Sequence, residues 1–329
     1  MSRVTRVLWV PAVLLAVGVH CLAGAPQKVF TDPAKAGPDF ALQGEYVGTV
    51  ATDLGDIKVG VQVIALGDGK FRAVGCIGGL PGEGWDQMEV PSAEGQLKDG
   101  AVTFKYADSE NAATLKDGQL TVKTGDKVAG TLKKVDRKSP TLGQKPPEGA
   151  IVLFDGTSAD KFIKGRMTKD GLLMEGADSK QKFQGFQIHL EFRLPFQPFD
   201  RGQGRGNSGF YAQGRYEVQI LDSFGLEGKD NECGGIYQVA KPKVNMCFPP
   251  LSWQTYDVDY TAAEFQDGKK VTSARITVRH NGVLIHENVE LPHATVAAIL
   301  KEGPEPGPVH LQNHGCPVRF RNIWVVEKK

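Results

Sequence analysis

Residues 216–220 read Tyr216-Glu217-Val218-Gln219-Ile220. Successive side chains of a β-strand point to opposite faces, so Tyr216, Val218 and Ile220 share one face and Glu217 and Gln219 the other. The same period-two pattern occurs upstream in Ile188-His189-Leu190-Glu191-Phe192-Arg193. It returns downstream in Ala274-Arg275-Ile276-Thr277-Val278-Arg279, which turns through His280-Asn281-Gly282 into Val283-Leu284-Ile285. Asn-Gly between two alternating runs is a strong hairpin signal. Only Ala294 to Lys301 has a helical pattern. Strands at this spacing predict two antiparallel sheets packed face to face.

Moving toward the N-terminus, residues 136–148 contain Ser139-Pro140 and Lys145-Pro146-Pro147-Glu148, which cannot pair as a central strand. Consecutive prolines favour an extended spacer, which puts a domain boundary near residue 148 and the sandwich at 149–329. Residues 40–135 alternate short strand-like runs with Gly and Asp turns. Leu-Lys-Asp-Gly appears twice, at Leu97 to Gly100 and Leu115 to Gly118, each time before a β-rich run. The expected fold class is therefore all-β, a C-terminal sandwich preceded by a small antiparallel β meander. No catalytic constellation stands out in the meander, which reads as an accessory module.

The first 25 residues read as a signal peptide. Arg3 and Arg6 precede the apolar run Val7 to Val19, and Ala23-Gly24-Ala25 offers small residues for cleavage. Pro11 interrupts a run already short for a bilayer, so export to the periplasm or outside is expected rather than a membrane anchor. Lipidation at Cys21 is disfavoured by His20, because such sites take a small residue before the cysteine. No later stretch is apolar enough to span. A net charge of +1 over 329 residues argues against a nucleic-acid partner. Export leaves Cys76, Cys233, Cys247 and Cys316, and a Cys233–Cys247 disulfide would pin the Pro242 loop. Without a Cys-x-x-Cys pair, structural zinc is not expected.

Five motifs occur in order within the second half. They are Gly206-Asn207-Ser208-Gly209-Phe210-Tyr211, Tyr216 to Asp222, Cys233-Gly234-Gly235-Ile236-Tyr237, Trp253-Gln254-Thr255-Tyr256 and Leu311-Gln312-Asn313-His314-Gly315, with Arg319-Phe320-Arg321-Asn322-Ile323 closing the chain. Together they resemble the bacterial 3-keto-disaccharide hydrolase domain family over residues 150 to 328. The resemblance implies a concanavalin-like jelly roll that acts on 3-keto-glycosides, by hydrolysis or by 1,2-elimination followed by hydration. Residues 40 to 135 carry no comparable likeness.

A ketone at C3 acidifies the hydrogen on C2, so elimination needs a base, an acid for the leaving oxygen and a group to hold the enediolate. His314 is the candidate base, because imidazole titrates near neutrality. Glu217 is open as base, acid or metal ligand, and Arg321 or a cation would hold the enediolate. Gln219, Gln312, Asn207, Tyr211, Asp222 and Tyr237 are the candidate substrate contacts. These residues make no cofactor certain, and a divalent metal stays open: His310 and His314 have the same strand parity, though such pairs are more often plain surface. Gly204 to Gly209 matches a dinucleotide glycine pattern, but a strand follows where a helix is needed. A two-carboxylate glycosidase built on Glu217 and Asp222 has the wrong parity for one strand face. From another functional class, a lectin-like module would use Trp253, Tyr211 and Tyr237 as a stacking platform.

Overall fold

The computed structural model describes residues 28–88, 91–106 and 110–328. The expected signal peptide and Cys21 lie outside them. No helix among the described residues is long and apolar enough to cross a membrane.

The N-terminal strands do more than meander. β1 (Gly44–Thr52), β2 (Gly55–Gly67), β3 (Lys70–Ile77), β4 (Ser92–Lys98), β5 (Ala101–Lys105), β6 (Asn111–Lys116), β7 (Gln119–Thr124) and β8 (Lys127–Val135) pair in sequence order, and β8 returns to β1. The result is a closed antiparallel barrel. Asp99-Gly100 and Asp117-Gly118 both sit at positive φ, the conformation that the repeated Asp-Gly turns predict. Parity sorts β2 and β3 cleanly. Val61, Val63, Ala65, Phe71 and Ala73 fill the barrel, whereas Ile64 and Val74 point outward and join the core of the second domain.

The second domain is a sandwich. Its first sheet orders β10 (Phe162–Ile163), β12 (Ala177–Phe183), β21 (Gly307–Leu311), β14 (Ser208–Ala212) and β15 (Tyr216–Ile220). Its second orders β11 (Leu173–Met174), β22 (Arg319–Glu327), β13 (Phe186–Arg193), β16 (Trp253–Thr261), β19 (Ala274–His280) and β20 (Val283–Leu291), with β9 (Ile151–Phe154) also on β22. β17 (Glu264–Gln266) and β18 (Lys269–Thr272) form a small separate hairpin. Phe210, Val218, Ile220 and Leu311 from one sheet meet Ile188, Leu190, Phe192 and Val258 from the other in the core. Asn281-Gly282, at φ 50° and 80°, makes the hairpin between β19 and β20.

Two expectations need correction. Residues 294–301 form turns, not a helix; their amides bond to the β14–β15 turn, Thr295 N to Arg215 O at 2.9 Å and Ile299 N to Gly214 O at 2.9 Å. The described α-helix is α1 (Gly37–Leu42), ahead of the barrel. Nor is the proline-rich segment a free spacer. It lies across the outer face of the second sheet, with Thr141 Oγ1 donating to Asp257 Oδ2 at 2.7 Å and Gly143 N to Glu191 Oε1 at 2.6 Å.

Candidate functional site

The first sheet buries Val218, Ile220, Phe210 and Leu311 inward, so alternation forces their neighbours onto its outer face. The register lines these neighbours up. Asp178 on β12 pairs with His310 on β21, His310 with Tyr211 on β14, and Tyr211 with Glu217 on β15. Four polar side chains therefore form one cross-strand row, each within the reach of directly opposed residues.

The row has two halves. His310 Nδ1 lies 2.5 Å from Asp178 Oδ1, and its ring meets the Tyr211 ring with centroids 5.1 Å apart. The contact fixes the ring's orientation, and in the tautomer that donates from Nδ1 to Asp178 it is Nε2 that accepts. At the other end Glu217 is 3% exposed with no ion-pair partner among the described residues. Burial raises its pKa to about 8, against the smaller opposing pull of the Tyr211 hydroxyl. Glu217 is therefore a protonated carboxylic acid at neutral pH. The Tyr211 hydroxyl donates its one hydrogen to Val296 O at 3.1 Å and accepts from Gln312 Nε2 at 3.0 Å. Burial first, and then Glu217, raises its own pKa, so it stays a phenol.

Gly209 makes this geometry possible. A Cβ there would sit 2.2 Å from Glu217 Oε1, so the carboxyl occupies space that any other residue would fill. Gln219 flanks it. In the amide orientation that satisfies both ends, its nitrogen donates to Glu217 Oε1 at 3.0 Å and to Ser208 O at 2.9 Å. Asn207 Nδ2 donates to Gln203 O at 2.8 Å, while its buried Oδ1 has no partner among the described residues. Tyr237 is half-buried, and its amide bonds to Glu217 O at 3.3 Å.

Other sequence candidates fall elsewhere. Arg321 lies on β22 in the opposite sheet. It pairs with Glu191 at 2.6 Å and covers the Trp253 ring at 4.0 Å, so it cannot serve the row. That also removes Trp253 from any sugar platform beside Tyr211. His314 is exposed on the turn after β21, beyond the last paired residue Leu311, and it is His310 that holds the strand position. Asp222 is held by Arg205 at 2.6 Å and is not free for acid–base work. Cys233 and Cys247 are free, buried thiols rather than a disulfide. The two thiols neighbour each other, and each has a further partner, Tyr256 Oη at 3.3 Å from Cys233 and Leu221 O at 3.5 Å from Cys247. Among the described residues no three His, Cys, Asp or Glu side chains converge as a metal cage. His310 and Asp178 are the residues missed: parity placed His310 beside Gln312, but Asp178 lies 132 positions away and only the register brings it in.

Residues 149–326 match the family described as 3-keto-alpha-glucoside-1,2-lyase-like domain. The chain belongs to that family. The lyase-like domain contains the whole row from Asp178 to His310 and excludes the barrel. A crystal structure of a candidate glycosyl hydrolase from Parabacteroides distasonis ATCC 8503 is similar at 33% identity, with a TM-score of 0.51 over 55% of this chain and 85% of that one. A second candidate glycosyl hydrolase from the same organism matches at 19% identity and a TM-score of 0.39, covering 55% of this chain and 95% of that one. No curated protein matches the chain. The lyase-like domain is a carbohydrate-active unit, and its row joins a neutral buried acid to an oriented imidazole.

Proposed function

We propose that the protein cleaves 3-keto-glycosides by elimination and hydration at the outer face of the first sheet. The observation that supports this reading most is the pairing of a protonated Glu217 with a His310 whose Nδ1 is held by Asp178. His310 Nε2 removes the C2 proton, made acidic by the C3 ketone. The electron pair closes the C1–C2 double bond and the C1–O bond breaks. Glu217 delivers its proton to the departing oxygen. The second N–H of Gln312 Nε2, whose first goes to the Tyr211 hydroxyl, is the donor for an enediolate oxygen. Addition of water, hydroxyl to C1 and hydrogen to C2, gives the 3-keto-hexose and completes a net hydrolysis. A divalent cation that binds substrate oxygens would polarise the ketone further without changing these residue roles.

The test is to incubate the protein with a 3-keto-disaccharide in heavy water and analyse product mass. Deuterium at C2, lost together with turnover in His310→Ala, is the expected result. Cleavage without C2 exchange, or normal turnover in that variant, would overturn the mechanism.

A further inference from the structure

Outside the row lies a cavity of about 620 Å³ between the barrel and the sandwich. That volume falls inside the ~300–1,000 Å³ of ordinary small-molecule sites. One wall is the outward face of β2, β3 and β4, and the other is the loop that follows β15. Arg72, Trp85 and Met88 come from the first wall, and Leu226, Lys229 and Glu232 from the second.

The wall's hydrogen-bonding capacity is unevenly used. Asn245 is saturated, donating to Ser223 O and Leu226 O at 2.8 and 3.0 Å and accepting from Cys247 N at 3.0 Å. Glu232 accepts from Gly228 N at 2.6 Å and Lys229 N at 3.0 Å. In contrast, Arg72 Nε and Trp85 Nε1 are buried donors with no partner among the described residues. Both residues line the cavity, and each carries a buried N–H that no described group receives, a cost that a ligand oxygen relieves once the side chain turns toward it. The charges balance: Arg72 and Lys229 oppose Glu227 and Glu232, with Lys229 at 3.6 Å from Glu227. An uncharged ligand rich in oxygen acceptors, with an apolar face for Trp85, fits this wall. A sugar ring has those properties.

The loop carrying Trp85 is fixed in place. Gly78 and Gly79 adopt positive φ, and a Cβ on either would sit 2.3 or 2.2 Å from the carbonyls of Gly84 and Glu83. Leu80 is fully buried, and Gly82 packs on Met246 and Val283 of the sandwich. The loop of the second wall is also bonded to β15, the strand that carries Glu217: Gly234 N bonds to Gln219 O at 2.9 Å and Gln219 N to Gly235 O at 2.8 Å. We infer that this inter-domain cavity is a second carbohydrate site, which binds a short uncharged saccharide through Arg72 and Trp85. The barrel is then a carbohydrate-binding partner of the lyase-like domain, independent of the chemistry proposed for the row.

Calorimetric titration of the full chain with cellobiose, maltose and trehalose, none of them oxidised at C3, tests it. At least one sugar is expected to bind and to shift tryptophan fluorescence. Trp85→Ala and Arg72→Gln should each weaken binding at least tenfold, and Ser92→Trp, which fills the cavity, should abolish it. Glu217→Gln should leave it unchanged. Binding that survives the cavity variants but fails in Glu217→Gln would place the sugar at the row and overturn the inference. So would millimolar sugar that produces neither heat nor a spectral shift. Tighter binding of digalacturonate than of the neutral disaccharides would overturn the uncharged-ligand assignment. Cavity binding with no cleavage of a 3-keto-disaccharide would sink the proposed reaction and leave this site standing.

Discussion

The two outer faces of the sandwich carry similar residues and do opposite things with them. On the second sheet, His189 lies between Asp257 at 2.6 Å and Glu191 at 3.5 Å, and Glu191 binds Arg321, Asn322 and the Gly143 amide. Burial works to raise the Glu191 pKa, but this ring of donors overcomes it and holds the carboxyl down at about 2. Burial likewise works to lower His189, and its two carboxylates win and raise it. On the first sheet Glu217 has no cation, and burial carries it up to about 8. A buried carboxyl becomes a strut or a reagent according to whether its charge is answered.

That contrast breaks most readily at the reagent side. His310→Ala is expected to lower turnover on the order of 10²–10⁴-fold with the fold intact, measured on a 3-keto-disaccharide beside a circular dichroism spectrum. Near-normal turnover would make the first face as structural as the second. Gly209→Ala pushes a methyl into the Glu217 carboxyl and should cost up to about 10²-fold in turnover through misplacement alone. A matching loss of stability instead would mean that Gly209 serves packing.

At the strut side, Glu191→Ala strips His189, Arg321, Asn322 and Gly143 of a shared partner and should cost about 3 kcal/mol, read by urea denaturation with turnover retained per folded molecule. The pH dependences run in opposite senses. Glu191 has a folded pKa below its ordinary 4.5, so its stabilisation is present above 4.5 and is lost as pH falls through about 2. Glu217 has a raised folded pKa, so folding loses stability as pH rises from 4.5 toward 8, and turnover falls above about 8 as the acid ionises. Glu217→Gln should flatten that alkaline loss of stability; an unchanged melting profile would show that Glu217 is ionised after all. The smallest effect is expected from truncation. A fragment beginning at Gly149 lacks the strap over Glu191 and Asp257 and should be about 1–2 kcal/mol less stable than one beginning at Asp136, seen in paired melts.

How legible these faces were in the sequence follows from what alternation encodes. It assigned Glu217 and Gln219 to a polar face because Val218 and Ile220 had to be buried; the structure puts Val218 and Ile220 in the core between the sheets, and buries Glu217 and Gln219 as well. Alternation names a face but not a sheet. Arg321 alternates as cleanly as Glu217, yet β22 pairs with β13, which puts it behind the core. His310 and His314 share parity, but β21 ends at Leu311, so only the former keeps the strand's direction. Asp178 had no local signal, since a partner across β12 and β21 is fixed by long-range register alone. Barrel closure escaped for a similar reason: each Asp-Gly hairpin is local, whereas the β8–β1 pairing joins the ends of the module.

That closure bears on how the protein survives at high concentration. An open meander would present a first and last strand whose unpaired amides invite other chains to add on. Here Glu45 to Val50 of β1 is stitched to Gly130 to Val135 of β8, and the ring has no free end. The sandwich limits the same hazard at β10, an outer strand of only two residues, Phe162–Ile163. Edge-to-edge growth on the folded molecule therefore has to start on the sandwich, at a longer edge such as β20 (Val283–Leu291), and not on the barrel.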